Sequence, residues 1–214
     1  MPVYKVPGYG VVSEPLAGTI EWVKQANLTS GGAVWNNGHY AFRNIRGTGS
    51  NTTRGVISNH AKGVAMDLSY RRIEAKQLGV PNARIKALTW LNTVLDNYEL
   101  LGVQCVLDYF PDNFGRGFRV DRVDVSPKKA HNHQAWVSYA RPTIHGAPGG
   151  DWFHIEITLG MANSAERVRA AFQKAFAVSN TIEQVPATVA VTKKGGQRRD
   201  QPAKPRHSRT RSAT

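Results

Sequence analysis

Cysteine is nearly absent from this chain. The single cysteine, Cys105, among 214 residues excludes a framework of internal disulfide bonds. It lies in an apolar run, which predicts a buried side chain. Long hydrophobic segments are also missing, so no membrane-spanning helix is predicted. Residues 1–7 lack the apolar core of a signal peptide, and we therefore expect a protein that is made in the cytoplasm without this export signal.

Acidic residues are also few. Fifteen Asp and Glu stand against 28 Lys and Arg, and the net charge of +13 favours an anionic partner or surface. The excess is concentrated in residues 179–214, which hold eight basic and two acidic residues and no aromatic residue. We predict one globular domain at 1–178 and a disordered basic tail at 179–214. The tail suits an anionic polymer, either nucleic acid or a cell-wall polymer, or stays solvated without a fixed partner; lacking aromatic residues, it is not expected to bind nucleic acid specifically.

The hydrophobic pattern predicts an α+β fold with a small, mostly antiparallel sheet and flanking helices. Apolar residues at helical spacing indicate helices at 13–26, 81–101 and 163–176, with Ile85 on the apolar stripe of the second helix and Asn163 as the cap of the third. Apolar or alternating runs indicate strands at 64–69, 103–110, 120–125 and 152–158. The Asn-Gly pair at 37–38 predicts the turn of a hairpin within residues 33–42.

One segment, residues 58–67, combines a turn with a half-buried strand. Val64 and Met66 fall on one face of that strand and Asp67 on the other. Gly63 permits a sharp turn that brings His60 back toward Asp67. We predict that this histidine and this aspartate form half of a metal site.

The second half of the predicted site is the strand at 152–158. Its residues Phe153 and Ile155 form an apolar face, whereas His154 lies on the opposite face. If this strand pairs with the first, opposed side chains lie about 5 Å apart at Cβ and can share one metal ion. Two imidazoles and one carboxylate, with a fourth position left for water, are typical of catalytic zinc. Non-haem iron uses the same ligand types, but usually with the first histidine and the acid two positions apart, so zinc is favoured.

Asp151 stands three positions before His154 and is the candidate general base. In a regular strand these two side chains face opposite ways, so the role requires a bend, which Gly149 and Gly150 permit. Glu156 is the alternative base, although we expect it to orient a metal ligand instead.

The two segments together resemble the zinc D-Ala-D-Ala peptidase family. The resemblance rests on Ser58-x-His60-x-x-Gly63-x-Ala65-x-Asp67 followed by Asp151-x-x-His154-x-Glu156, and it covers about residues 33–160. The family includes VanY-like carboxypeptidases and phage L-alanyl-D-glutamate endolysins, and it shares its fold with the hedgehog signalling domain. The resemblance implies that His60, Asp67 and His154 bind Zn²⁺ and that Asp151 is the general base.

The same resemblance implies an arginine upstream of the first motif that contacts the substrate. Arg46 is the best match, and Arg54 is the competitor. The remaining histidines of the loop region, His131, His133 and His145, are expected to be loop residues. The His-Asn-His spelling at 131–133 lacks the ββα setting that a nuclease of that name requires.

From these features we expect a monomeric zinc peptidase that hydrolyses peptidoglycan stem peptides, as a phage endolysin or a virion-associated lytic enzyme. The alternative is a non-catalytic, zinc-stabilised basic protein that binds cell-wall polymer or nucleic acid. The bond that is cut stays open: D,D-carboxypeptidase and endopeptidase activities both fit, because loops 111–150 would decide between them.

Overall fold

The computed structural model describes residues 10–46, 52–110, 115–122, 136–138 and 150–182. Within these ranges it describes the backbone alone at 44–46, 52–56, 122 and 178–182. Residues 183–214, which form most of the basic tail, and the histidines at 131, 133 and 145 lie outside the described residues.

The centre of the fold is a six-stranded antiparallel sheet with the strand order β1-β4-β8-β5-β6-β7. Its strands are β1 (Trp35–Gly38), β4 (Ala65–Ser69), β5 (Val103–Asp108), β6 (Arg116–Arg119), β7 (Trp136–Ser138) and β8 (Trp152–Ile157). A separate antiparallel pair is formed by β2 (Asn44–Arg46) and β3 (Thr52–Ile57). The predicted α+β class with an antiparallel sheet is confirmed at this level.

In the described part of the chain, four α-helices accompany the sheet: α1 (Ala17–Thr29), α2 (Ala83–Asp96), α3 (Leu159–Ala162) and α4 (Ala165–Ile182). Short 3₁₀ turns lie at Glu74–Lys76 and Val120–Arg122. The described part of α4 runs to Ile182, four residues past the predicted domain boundary at 178. None of the helices in the described ranges combines the length and apolar character that crossing a bilayer demands.

The sheet has one apolar face, and the helices cover it. Met66, Leu68, Phe153 and Ile155 alternate along β4 and β8 and are fully buried. Beneath them, the Trp22 ring makes edge-to-face contacts with Trp90 of α2, at a centroid distance of 6.0 Å, and with Phe172 of α4, at 5.0 Å. Because side chains alternate along a strand, this burial fixes which residues face the other way.

The predicted hairpin at 33–42 is wrong. Gly38 is not a turn residue but the last residue of β1, where it lies opposite Asp67 of β4. The register shifts between Asn36 and Gly38, and the Asn36 side chain accepts a hydrogen bond from the Gly38 N–H at 3.0 Å. The Asn-Gly signal therefore marks an irregularity in an edge strand, because a local side-chain hydrogen bond competes with the hairpin turn.

Three smaller predictions also need correction. The strand predicted at 120–125 is displaced, since β6 ends at Arg119 and a 3₁₀ turn follows. Ile85, predicted on the buried stripe of α2, is 68% exposed. The predicted cap Asn163 ends α3, and the Ser164 hydroxyl instead accepts the Arg167 N–H at the start of α4.

The turn before β4 gives a direct test of the fold. Gly63 has φ +71°, and an added Cβ would lie 2.7 Å from Leu16 Cγ. Gly31 has a similar φ of +61° but nothing within 4 Å of an added Cβ. We expect Gly63→Ala to lower the free energy of unfolding by about 2–4 kcal/mol, and Gly31→Ala by about 1–2 kcal/mol, because only the first adds steric overlap to backbone strain. Chemical denaturation measures both, and equal losses would contradict the packing argument.

Candidate metal centre

Two histidines and one aspartate converge on the face of the sheet opposite the helices. His60 Nε2 lies 3.1 Å from His154 Nδ1 and 3.4 Å from Asp67 Oδ1. His154 Nδ1 lies 3.0 Å from the same Asp67 oxygen. Three potential ligand atoms, one from each residue, lie within 4.8 Å of one another. The structure thus brings together all three residues that the sequence predicts as metal ligands.

Strand register positions two of these side chains. Asp67 of β4 and His154 of β8 are direct partners across the antiparallel ladder, so they point to the same side of the sheet. On the next strand Leu107 lies opposite His154 and completes the row. The predicted pairing of the two motif strands is present, and it places the carboxylate beside the imidazole.

A tight turn positions the third side chain. Gly63 N–H donates to His60 O at 3.1 Å, and Val64 N–H donates to Asn59 O at 3.1 Å, which folds residues 59–64 back on themselves. Ser58 bonds to the backbone of this turn, since its hydroxyl accepts the His60 N–H at 3.3 Å. The His60 residue is 4% exposed and therefore has little freedom to leave the cluster.

The clustered residues differ in their exposure. His154 is 9% exposed, whereas the Asp67 side chain is 22% exposed. Solvent therefore reaches the carboxylate more readily than the imidazole.

When no cation is bound, the pKa shifts in the cluster favour an ionised Asp67, a neutral His60 and a protonated His154. Burial alone would lower the pKa of His154, but hydrogen bonds to Asp67 and Glu156 raise that pKa to about 10. Burial is the main cause that lowers the pKa of His60. Burial would raise the pKa of Asp67, yet hydrogen bonds to both histidines hold it well below its usual value. His154 alone therefore carries a proton that a metal ion must displace.

Glu156 supports His154 from behind. Its Oε1 lies 3.1 Å from His154 Nε2, the ring nitrogen that points away from the cluster. A carboxylate on the remote nitrogen fixes the orientation of the ring and leaves Nδ1 as the nitrogen available to a metal ion. This contact agrees with the expected orienting role of Glu156 and removes its carboxylate from the position of a free base.

Asp151, the predicted general base, has a different partner in the structure. Its carboxylate accepts two hydrogen bonds from Arg71, from Nε at 2.6 Å and from Nη2 at 3.0 Å. It lies just before β8 and is not one of the three clustered residues. The Tyr70 N–H donates to Asp151 O at 3.0 Å, and the Tyr70 hydroxyl donates to Gly150 O at 3.3 Å, so the ladder continues up to this point.

The predicted substrate arginines lie in the second sheet. Arg46 belongs to β2 and Arg54 to β3, and their side chains fall outside what the structure describes, so the role proposed for them stays a prediction. Sequence reasoning passed over Arg43, whose positive charge is close enough to contribute to the lowered pKa of His60, after burial and His154. Its position one residue before β2 gave no signal, because only the fold brings it near the turn.

Two aromatic residues flank the cluster on the same face. Trp152 lies two positions before His154, and its ring centroid is 5.3 Å from that of Tyr109. Burial, followed by the charge of Asp67, raises the pKa of Tyr109 well above its usual value. Trp152 therefore belongs to the site face, whereas Trp136 packs at the edge of the core beneath Arg116.

An ion-pair network lies on the other face of the sheet and stabilises the segment just before β8. The fully buried Asp108 accepts two hydrogen bonds from Arg84, at 2.8 Å each, and is paired with Arg116 at 3.1 Å. Arg84 also donates to the Tyr70 hydroxyl at 3.0 Å. Through Tyr70 this network reaches Gly150, and so it steadies the residues that precede the metal-ligand strand.

Comparisons with protein-family models, curated proteins and solved structures give no match to this chain.

The donor set fits a zinc ion. It offers two imidazole nitrogens and a carboxylate oxygen, the types that Zn²⁺ binds, together with an outer carboxylate on one histidine. The same three residues could also hold another divalent metal ion, since their ligand types are not unique to zinc.

Glu156 gives a test of this interpretation. We expect Glu156→Gln to weaken zinc binding about 10- to 100-fold, because the ring of His154 loses its charged hydrogen-bond partner. His60→Ala removes a ligand and should weaken it further. Glu74→Gln, which alters an exposed pair with Arg72, is the matched control and should leave affinity unchanged. Competition with a chromogenic chelator measures all three, and an unchanged affinity in Glu156→Gln would contradict the orienting role.

The raised pKa of His154 gives a second test. Near pH 7 in the metal-free protein, His154 is the protonated imidazolium, because its pKa is about 10. The lowered pKa values of His60 and Asp67 keep the first a neutral imidazole and the second an ionised carboxylate. Zinc binding should therefore release about one proton, and apparent affinity should rise about tenfold per pH unit until His154 titrates. Calorimetry in buffers of different ionisation enthalpy counts the protons. A release close to zero would show that His154 does not carry the proton.

Proposed function

We propose that this protein is a zinc-dependent peptidase that hydrolyses peptide bonds of bacterial peptidoglycan stem peptides, as a phage endolysin or a virion-associated lytic enzyme. The observation that supports the proposal is the convergence of His60, Asp67 and His154, whose potential ligand atoms lie within 4.8 Å of one another. The order and spacing of these residues, with Asp151 three positions before His154, support it through the motif resemblance.

The three clustered residues would hold the ion. Bound zinc supplies Lewis acidity, which polarises a carbonyl group and lowers the pKa of water to about 7. The chain itself provides the remaining functions. Glu156 fixes the ring of His154, and the burial of His60 keeps its imidazole neutral and ready to coordinate.

Asp151 is the proton carrier of the proposed mechanism. Its carboxylate takes a proton from the attacking water and delivers it to the amine that leaves when the peptide bond breaks. Arg46 stabilises the negative charge that develops on the carbonyl oxygen. The high positive charge of the chain suits an anionic cell wall, where the basic tail would concentrate the enzyme near its substrate.

One observation favours the alternative, a non-catalytic zinc-stabilised binding protein. The Asp151 carboxylate is held by Arg71 and is not among the clustered ligand atoms. A binding protein has no need of a base, whereas the peptidase requires the Asp151 carboxylate to reach water at the metal site. The two functions thus differ in what Asp151 does.

Peptidoglycan digestion distinguishes them. We expect the zinc-loaded protein to release new amino groups from purified peptidoglycan, a chelator to stop the release, and added zinc to restore it. Asp151→Ala should keep zinc but lower the rate about 10²- to 10⁴-fold, since it removes the general base. Mass spectrometry of the released fragments would identify the bond.

Asp121→Ala is the matched control, because Asp121 forms a similar pair with Arg119 at 2.6 Å but follows β6, which β5 separates from β8 in the sheet. It should leave the rate unchanged. Equal activity of the Asp151 variant and the unmodified protein would remove Asp151 from the mechanism. Absence of any released amine from zinc-loaded protein would favour the binding protein.

A further inference from the structure

Arg71 presents a fixed positive charge beside the candidate metal centre. It follows β4 by two residues, and it donates two hydrogen bonds to the Asp151 carboxylate, from Nε at 2.6 Å and from Nη2 at 3.0 Å. Its side chain is 57% exposed, about twice the 27% of Asp151. The guanidinium is thus anchored at one edge and open to solvent elsewhere.

The backbone beneath this pair is also held. Ser69 links its two ends, because its hydroxyl accepts the Arg71 N–H at 3.1 Å and donates to Asp151 O at 3.1 Å. The Trp35 indole N–H donates to Arg71 O at 2.8 Å. A side chain positioned in this way loses little conformational entropy when it binds a ligand, and that favours affinity.

The third guanidinium nitrogen of Arg71, Nη1, is the one through which it could bind a ligand. Nη1 has no protein partner among the described residues, whereas Nε and Nη2 both donate to Asp151. The Nη1–Nη2 edge of a guanidinium binds a carboxylate through two parallel hydrogen bonds. Arg84, by comparison, directs both of its terminal nitrogens to the buried Asp108.

The position of Arg71 sets the distance of that ligand from the metal centre. Arg71 lies four residues beyond Asp67, which is at most about 13 Å along an extended chain at ~3.3 Å per residue. An extended peptide covers a similar distance in about three to four residues. Ser69 stands between Asp67 and Arg71 on this path, and its partners across the sheet are Trp35 of β1 and Trp152 of β8. Aromatic residues therefore flank the path on both sides.

We propose that Arg71 is a specificity-determining residue that binds a carboxylate of an extended peptide ligand, about three residues from the bond held at the metal centre. The inference rests on the proposed function for the identity of the ligand, an anionic stem peptide. In the structure, the Nε–Nη2 edge of the guanidinium donates to Asp151, and the ligand carboxylate binds the other, open edge.

Equilibrium binding tests the proposal without any need for catalysis. The probes are the pentapeptide L-Ala-γ-D-Glu-L-Lys-D-Ala-D-Ala with free carboxylates and the same peptide with both carboxylates converted to carboxamides. Calorimetry on the metal-free full chain measures both affinities. We expect the carboxylate peptide to bind about five- to tenfold more tightly, and Arg71→Gln to abolish the preference. Arg71→Lys keeps the positive charge but loses the planar guanidinium that binds a carboxylate through two hydrogen bonds. This variant should therefore retain only part of the preference for the carboxylate peptide.

Arg72→Gln is the matched control. Arg72 is the adjacent residue, is similarly exposed at 52%, and pairs with Glu74 instead of Asp151. It should keep the full preference. An equal preference in Arg71→Gln and the unmodified protein, no preference in the unmodified protein, or no binding of either peptide would each overturn the proposal.

Hydrolysis of the same peptides by the zinc-loaded protein is scored separately. A preference that depends on Arg71 without hydrolysis supports this inference and contradicts the proposed peptidase. Hydrolysis without a preference supports the peptidase and contradicts this inference. Thermal unfolding of each variant confirms that the exposed substitutions leave the fold intact.

Discussion

The antiparallel pairing of β4 with β8 is the constraint on which the candidate site depends. It makes Asp67 and His154 direct neighbours although they are far apart in the chain. Because Met66, Leu68, Phe153 and Ile155 alternate with them and are fully buried, a slip of one residue would turn the apolar side chains to solvent and the metal ligands into the core. The hydrophobic effect therefore sets the geometry of the polar cluster.

The electrostatics of the cluster follow from that geometry. Burial brings the Asp67 and Glu156 carboxylates close to a single imidazole, that of His154. An imidazolium offsets part of this negative charge, as the raised pKa of His154 indicates. A divalent cation would offset it more completely, because it adds two positive charges where the proton adds one. The site is thus organised by the contacts of one imidazole with two acidic side chains.

Sequence patterns predicted the parts of this site that local chemistry determines. Alternation along β4 and β8 identified the ligand-bearing face, and Gly63 identified the turn that returns His60, since each signal lies within a few residues. The pairing of Arg71 with Asp151 left no such signal, because it depends on where two strands end relative to each other. Gly38 shows the opposite failure: a strong local turn signal lost to pairing with Asp67 across the sheet.

The two faces of β8 separate two kinds of mutational effect. Its odd-numbered residues, Phe153, Ile155 and Ile157, are packed in the core, whereas the even-numbered Trp152, His154 and Glu156 form the chemical surface. Parity along one six-residue strand therefore separates positions whose substitution alters the apolar core from positions whose substitution alters the polar cluster, because the two sets of side chains leave the backbone on opposite sides of the sheet.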